Sequence, residues 1–378
     1  MNECVDVIVI GGGIAGCSTA YYLAADGVQV TLLERFEPGA LASGLNAGSL
    51  HAQIPPEPVL TLGESWAQGF APALPLFIES MALWKEAGAT ISAELEVSQD
   101  GGLVVAANAA EMRMLESKIR LDRNAGLEME LLDAPALREL APYVSDRMIG
   151  GVLCPIEGKA NPLVAAPVFA AAALEFGARV VTDCPVSAIR RSGAVFEVES
   201  PKGGYRASRL VNAAGAHAGP VAGLAGARLE CEPFLQQLIV TERTAPLIDC
   251  LIYAAGERLT LKQTKAGTVV IGGGWQAGKV ANGLPQVLQP SLSGNLRVAV
   301  ETVPALASLG MVRTWAGAVN ASASWRPLVG EMPGAPGMFV NWVPWMGFSG
   351  ALAASRVVAS QVQDLIPPVD FDVTYFSP

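Results

Sequence analysis

The stretch "VDVIVIGGGIAGCSTAYYLAADGVQVTLLER" constrains this chain more than any other. Val5 to Ile10 is a Val- and Ile-rich run, as expected of a parallel strand covered on both faces. Ile14 to Ala25 has helix periodicity, and Gly27 stands where a C-terminal glycine belongs. Val28 to Leu33 reads as a second strand ending at Glu34. Between first strand and helix, Gly11, Gly13 and Gly16 fit G-x-G-x-x-G. Gly11 permits the tight turn. Gly13 lets the backbone, with the amides of Ile14 and Ala15, approach a pyrophosphate at the positive helix N-terminus. Gly16 allows close helix–strand packing. Glu34, followed by Arg35, lies where an acid accepts from a ribose 2′-hydroxyl and repels a 2′-phosphate. Together these features predict a dinucleotide site, for a nicotinamide that comes and goes or a flavin that stays.

A second stretch, "TVVIGGGWQAG", offers Gly272, Gly274 and Ala277 in the looser G-x-G-x-x-A spelling. The following "GKVANGLP" is a poor helix start, and without a helix N-terminus the phosphate site is lost. This stretch is expected to be a hairpin strand with a glycine turn.

The formal net charge is −10 and no segment concentrates Lys and Arg, which argues against nucleic-acid binding. The six cysteines are scattered without a C-x-x-C pair, so neither a disulfide framework nor a metal site is expected. Cys17, on the first helix, reads as a buried thiol. Met1 leads almost directly into the first strand, leaving no room for a signal peptide. The longest apolar run, Pro162 to Leu174, is too short to span a bilayer. A soluble cytoplasmic protein is the expectation.

Further along, 40–56 is loop-like, Leu74 to Glu86 is helical, and 90–145 mixes strand signals with two charged helices. Pro167 should kink the apolar helix before Gly177 or delay its start. Strand-like segments follow to 275, including a hairpin of Leu259–Gln263 with Thr268–Ile271. "GFSGALAASRVVASQVQDLI" is a last helix, stopped by Pro367 and Pro368. The expected fold is α/β (α+β): a Rossmann-like nucleotide-binding domain (1–85, 145–222, 315–378) with a discontinuous substrate domain (86–144, 223–314) on a mixed or antiparallel sheet.

Four segments resemble the FAD-dependent amino-acid oxidase and dehydrogenase family, which contains glycine oxidase, sarcosine oxidase and D-amino-acid dehydrogenase. They are the fingerprint, "ASGLNAGSL", "RLVNAAGAHAG", and "WAGAVNASASWRPLVGEMPGAPGMFVNW…GFSGALAASRVV". "LTLKQTKAGTVVIGGG", "EGKANP" and "PWMGFSG" are similar to β subunits of heteromeric sarcosine oxidase, opine oxidase and D-hydroxyproline dehydrogenase. The resemblance implies non-covalent FAD. Its contacts would come from Ser43, Asn46, Ala47, Gly48 and Ser49 in the second segment, and from Ala213, Ala214 and Gly215 in the third. Val186, Arg326 and the start of the last helix (Gly347, Phe348, Ser349, Gly350) complete the implied set. It also implies hydride transfer from a carbon beside an amine to the flavin, and partner subunits that accept electrons.

Two departures bear on substrate. The family's glycine oxidases carry an arginine after Trp-Ala-Gly, where this chain reads "WAGAVNAS". Many relatives have Gly-His-Gly where this chain has "MGFSG". The substrate anchor must come from elsewhere, or the substrate is not a plain α-amino acid. Lys262 and Gln263 on the hairpin are candidates to orient it, with a solvent-facing lysine the alternative. Tyr253 and Arg258 are candidates for a carboxylate, with surface ion pairing the alternative for Arg258. His51 is placed against the flavin ring or in an ordinary loop, and His217 is expected to be structural. Trp342 and Trp345 either wall an apolar site or pack the core. A flavin-binding or electron-relay subunit without turnover is the competing reading.

Overall fold

The computed structural model describes residues 3–281 and 283–378. Its first sheet runs, in spatial order, Leu328–Glu331, Met338–Trp342, Gly203–Asn212, Glu3–Ile10, Val30–Leu33 and Arg179–Val181. From Met338–Trp342 onward each strand pairs in parallel with the next, and Leu328–Glu331 closes one edge antiparallel. The hairpin Ala188–Ser192 and Val195–Ser200 extends antiparallel from Gly203–Asn212. Val7, Ile8 and Val9 are buried, as a strand covered on both faces requires.

Helices Ile14–Ala25, Pro162–Glu175, Leu74–Thr90 and Gly347–Val362 pack together against this sheet. The last helix has 12 of its 16 residues buried, and its small residues let neighbours approach closely. Ser355 Oγ lies 2.7 Å from Ser18 Oγ and 2.9 Å from Asn341 Nδ2, so a buried polar joint fixes the last helix to the first. Pro167 lies inside its helix, which nonetheless starts at Pro162, so the start is not delayed. Asn161 caps that helix by accepting from the Leu163 amide at 3.1 Å.

The second sheet runs Met311–Ala321, Glu232–Arg243, Thr268–Gly272, Thr260–Gln263, Leu251–Ala254, Gly102–Ala106, Gly150–Cys154 and Glu130–Asp133. Every pairing is antiparallel except Leu251–Ala254 with Gly102–Ala106. The expected hairpin is present, and after Gly272 the chain makes a glycine turn rather than a helix. Two expected domain boundaries shift. Gly150–Cys154 and all of Met311–Ala321 pair in the second sheet, so the breaks set at 145 and 315 misplace strands. Strand pairing decides membership there, and local composition does not record it.

The 40–56 stretch is not featureless: it holds a helical turn at Ala42–Leu45 and a short strand, Ser49–Leu50. Two further helices, Pro56–Leu62 and Glu64–Phe70, follow it. Among the described residues, no helix is long and apolar enough to cross a membrane.

Candidate active site

A cleft of about 790 Å³ runs along the fingerprint, within the roughly 300–1,000 Å³ usual for ligand sites. Gly11, at φ 108°, turns the chain at its floor, and a Cβ there would lie 2.6 Å from the Ala213 carbonyl oxygen. A Cβ on Gly16 would come within 1.8 Å of the Gly11 carbonyl oxygen, so helix and strand meet only because residue 16 is glycine. The Ile14 amide donates to Ser43 Oγ at 2.9 Å. The amides of Gly13 and Ala15 have no protein partner among the described residues, and no acidic side chain occupies the first turn. Unpaired donors on a helix N-terminus fit an anionic group. Glu34 receives the Gly12 amide on one carboxylate oxygen and the Phe36 amide on the other, at 2.5 and 2.8 Å.

Arg35, Val186, Ala213, Ala214, Gly215, Gly347 and Phe348 line this cleft. His217 does too, although the sequence assigned it to structure. Its ring nitrogens lie 3.0 and 3.2 Å from Arg35 Nη2, and burial and that guanidinium both lower its pKa.

A second cavity of about 390 Å³ lies between the sheets. It shares Asn46, Gln236, Trp345 and Phe348 with the cleft. Its apolar wall includes Phe234, Leu259, Trp325 and Trp345. Trp325 and Trp345 stack with centroids 4.8 Å apart. Both adopt positive φ, 58° and 59°, a strained backbone for a bulky residue. The Trp345 amide and indole hold it there by donating to the carbonyls of Asn320 and Ser322.

Polar groups face the aromatic wall. His51 Nδ1 lies 2.5 Å from the Tyr253 hydroxyl, which donates to Glu157 Oε2 at 2.8 Å. Burial, and next the Lys262 charge, lower the His51 pKa to about 3, so its ring is neutral. Burial raises the Tyr253 hydroxyl well above its usual range, and Glu157 adds to the effect. Arg258 gives Nε and Nη2 to Glu57 Oε1 at 3.0 and 2.7 Å and Nη1 to the Gly274 carbonyl. Neither Tyr253 nor Arg258 is therefore a free carboxylate clamp: one hydroxyl is committed to Glu157, and one guanidinium to an ion pair on the cavity wall.

Residues 6–361 match the family described as FAD-dependent oxidoreductase, DAO. The chain belongs to that family. This FAD-dependent oxidoreductase is 28% identical to the sarcosine oxidase beta chain of Rhizobium meliloti (strain 1021) over 339 residues, 87% of this chain and 77% of that one. It is 24% identical to one of the subunits of opine oxidase from Agrobacterium tumefaciens (strain Ach5) over 381 residues, 95% of each. Its fold is similar to that of L-proline dehydrogenase from P. horikoshii, with TM-score 0.86 and 23% identity, over 98% of this chain and 96% of that chain.

The cleft fits FAD at the fingerprint, where the unpaired amides of Gly13 and Ala15 would hold phosphates and Glu34 a ribose. Several residues expected at the cofactor lie outside the lining of the fingerprint cleft. Arg326 donates to the Tyr375 and Ser377 carbonyls, tying down the C-terminal tail, and is absent from the cleft lining. Ala47, Ser49 and Ser349 line the second cavity rather than the cleft. Gly48 and Gly350 line neither. The Gly48 amide donates to Asn46 Oδ1, and Gly350 packs under Phe77. Asn46 reaches both hollows, but its side chain is engaged in its own loop.

Among the substrate candidates, Gln263 points away from both hollows. It binds the Leu247 and Ile248 amides and the carbonyls of Thr244, Ala245 and Gly267, so it stabilises a loop. Lys262 is 3% exposed and donates to Ser49 Oγ at 2.7 Å, one side chain behind the cavity wall. Burial, with Lys159 nearby, takes its pKa well below the usual lysine value. Trp342 is core, its indole donating to the Gly215 carbonyl, whereas Trp345 walls the site. Sequence reading missed Gln53, Glu157, Lys118 and Asp122. "EGK" carries Glu157, but nothing local signals that its carboxylate is fully buried.

Proposed function

We propose that this oxidoreductase oxidises the C–N bond of an amino or imino acid, the hydride leaving the carbon beside nitrogen. The chemistry fits a D-amino acid, a cyclic imino acid such as D-hydroxyproline, or an opine. One observation carries the reading: a cavity of about 390 Å³ meets the fingerprint cleft at Asn46, Gln236, Trp345 and Phe348. A small molecule held there adjoins whatever fills the cleft. When bound, FAD supplies the hydride acceptor. The chain's part is to orient the amine against the polar wall, press the carbon skeleton on Trp345 and keep water out. The names of the relatives support amine chemistry. Two are named as parts of multi-chain enzymes, which supports a heteromeric complex whose partners carry electrons away.

The test is the visible spectrum of the purified protein, before and after anaerobic addition of D-amino acids, prolines and opines. Bleaching by one compound supports the reading. A flavin spectrum that nothing bleaches points instead to the relay role.

Non-covalent attachment is part of the proposal. Acid precipitation should leave all flavin in the supernatant, and a yellow pellet would count against it. Lys262→Met should lower turnover several-fold with flavin retained, because the buried amine orders Ser49 on the cavity wall. Unchanged kinetics would reduce Lys262 to packing.

A further inference from the structure

A buried chain of hydrogen bonds runs from the helix Ala109–Asn124 to the cavity wall, and the sense of each bond is fixed from its inner end. Lys118 has only protons to give. Its Nζ donates to Asp122 Oδ2 at 2.6 Å and to Gln53 Oε1 at 2.8 Å. The Gln53 Nε2 must then face outward, where it donates to Glu157 Oε2 at 2.9 Å and to the Gly102 carbonyl at 3.3 Å. A side-chain amide is usually ambiguous in sense, but here a pure donor and a pure acceptor settle it. Glu157 Oε1 accepts from the amides of Ala52 and Gln53 at 2.6 and 2.9 Å. An ionised Glu157 therefore accepts from four donors, the last being the Tyr253 hydroxyl. Having given its one proton there, Tyr253 can only accept at His51 Nδ1. Nδ1 carries the ring proton and Nε2 keeps its lone pair. Among the described residues Nε2 has no partner, and the ring lines the cavity.

We propose that Glu157, acting through Tyr253, fixes His51 in the Nδ1–H form and so offers the cavity an acceptor for the N–H of the substrate amine. This rests on the amine-oxidising reading above. His51 touches substrate, while Glu157 and Tyr253 are positioning residues. Primary and secondary amines bring the N–H that this acceptor needs, and a neutral tertiary amine does not.

Protonating Glu157 reverses the outer half of the chain. Glu157 then donates to Tyr253, Tyr253 donates to Nδ1, and Nε2–H faces the cavity. Burial favours that state and raises the Glu157 carboxyl, while the donors from Gln53, Ala52 and Tyr253 oppose it. Cys154, Lys118 and Asp122 are the other titratable groups around Glu157 and Tyr253, with Cys250 beside Tyr253. Lys262 faces His51, and Lys159 stands behind Lys262.

The experiment reads imidazole ¹⁵N shifts of the flavin-loaded protein across the pH range in which it stays folded. The chain has two histidines, so His217→Gln assigns the spectrum. At alkaline pH His51 should be Nδ1–H. Glu157→Gln turns its NH₂ toward Tyr253 and should move the proton to Nε2. In Tyr253→Phe, His51 should no longer respond to Glu157→Gln. Where one of glycine, sarcosine, L-proline or D-proline bleaches the parent, Glu157→Gln should raise its KM about tenfold, with kcat changing less. An Nε2–H ring in the parent at alkaline pH, or a ring unmoved by Glu157→Gln, overturns the inference. So does a moved proton with unchanged KM. If no amine bleaches the flavin, the functional reading fails, and the spectra still judge the coupling.

Discussion

Gly13→Val should give a folded protein that purifies without flavin, and Glu34→Lys should also lose the flavin. Residue 13 caps the fingerprint helix at φ −74°, which any residue adopts, and an added Cβ meets only Ser43 Oγ, at 3.0 Å. The fold therefore tolerates a side chain there. A pyrophosphate does not, because valine methyls would occupy the space above the free amides of residues 13 and 15. Absorbance near the flavin maximum, relative to protein, should fall to about a tenth of the parent's or less. The far-ultraviolet circular dichroism should be unchanged. Stoichiometric flavin in Gly13→Val would defeat the cofactor assignment. Gly16→Val makes the contrast: its Cβ would lie 1.8 Å from the Gly11 carbonyl oxygen, so that variant should fail to fold.

Glu157→Ala should be among the most destabilising single changes in this chain. The carboxylate is fully buried, and alanine would leave three donors bare, two backbone amides and the Gln53 side-chain amide, while the Tyr253 hydroxyl turns to His51 Nδ1. Each buried unsatisfied donor costs about 1–3 kcal/mol, so a loss of about 3 kcal/mol or more is expected. Glu157→Gln keeps the shape and the acceptor for both backbone amides, though its NH₂ meets that of Gln53, and should lose less. Thermal melts of the three proteins decide the matter. A Glu157→Ala melt within about 3 °C of the parent would show that the donors find other partners.

What could be read from the sequence divides along a physical line. The cofactor cleft was legible because its determinants are local: a strand, a turn and a helix within Glu3–Ala25, then an acid one strand later. The hairpin at 260–272 was legible for the same reason. The polar wall was not. His51, Gln53, Lys118, Glu157 and Tyr253 come from distant segments, and only the fold puts their side chains in one line. The side chains of Arg326 and Gln263 were not legible because a residue's neighbourhood in sequence does not say where its side chain points. The helices Pro56–Leu62 and Glu64–Phe70 were overlooked because prolines read as loop, although proline suits a first helical turn.

The joint between the first and last helices sets an order on the making of this protein. The fingerprint helix lies early in the sequence, yet Ser18 and Thr19 complete their bonds beyond that helix only when Asn341 and Ser355 have emerged. Until then the helix Ile14–Ala25 and the helix Leu74–Thr90 each present a bare apolar face where Gly347–Val362 will lie. A ribosome must therefore add 337 residues beyond Ser18 before this helix can close on its partner, and the apolar surface waiting meanwhile is open to aggregation. A chain cut short before the last helix would leave both of these faces bare.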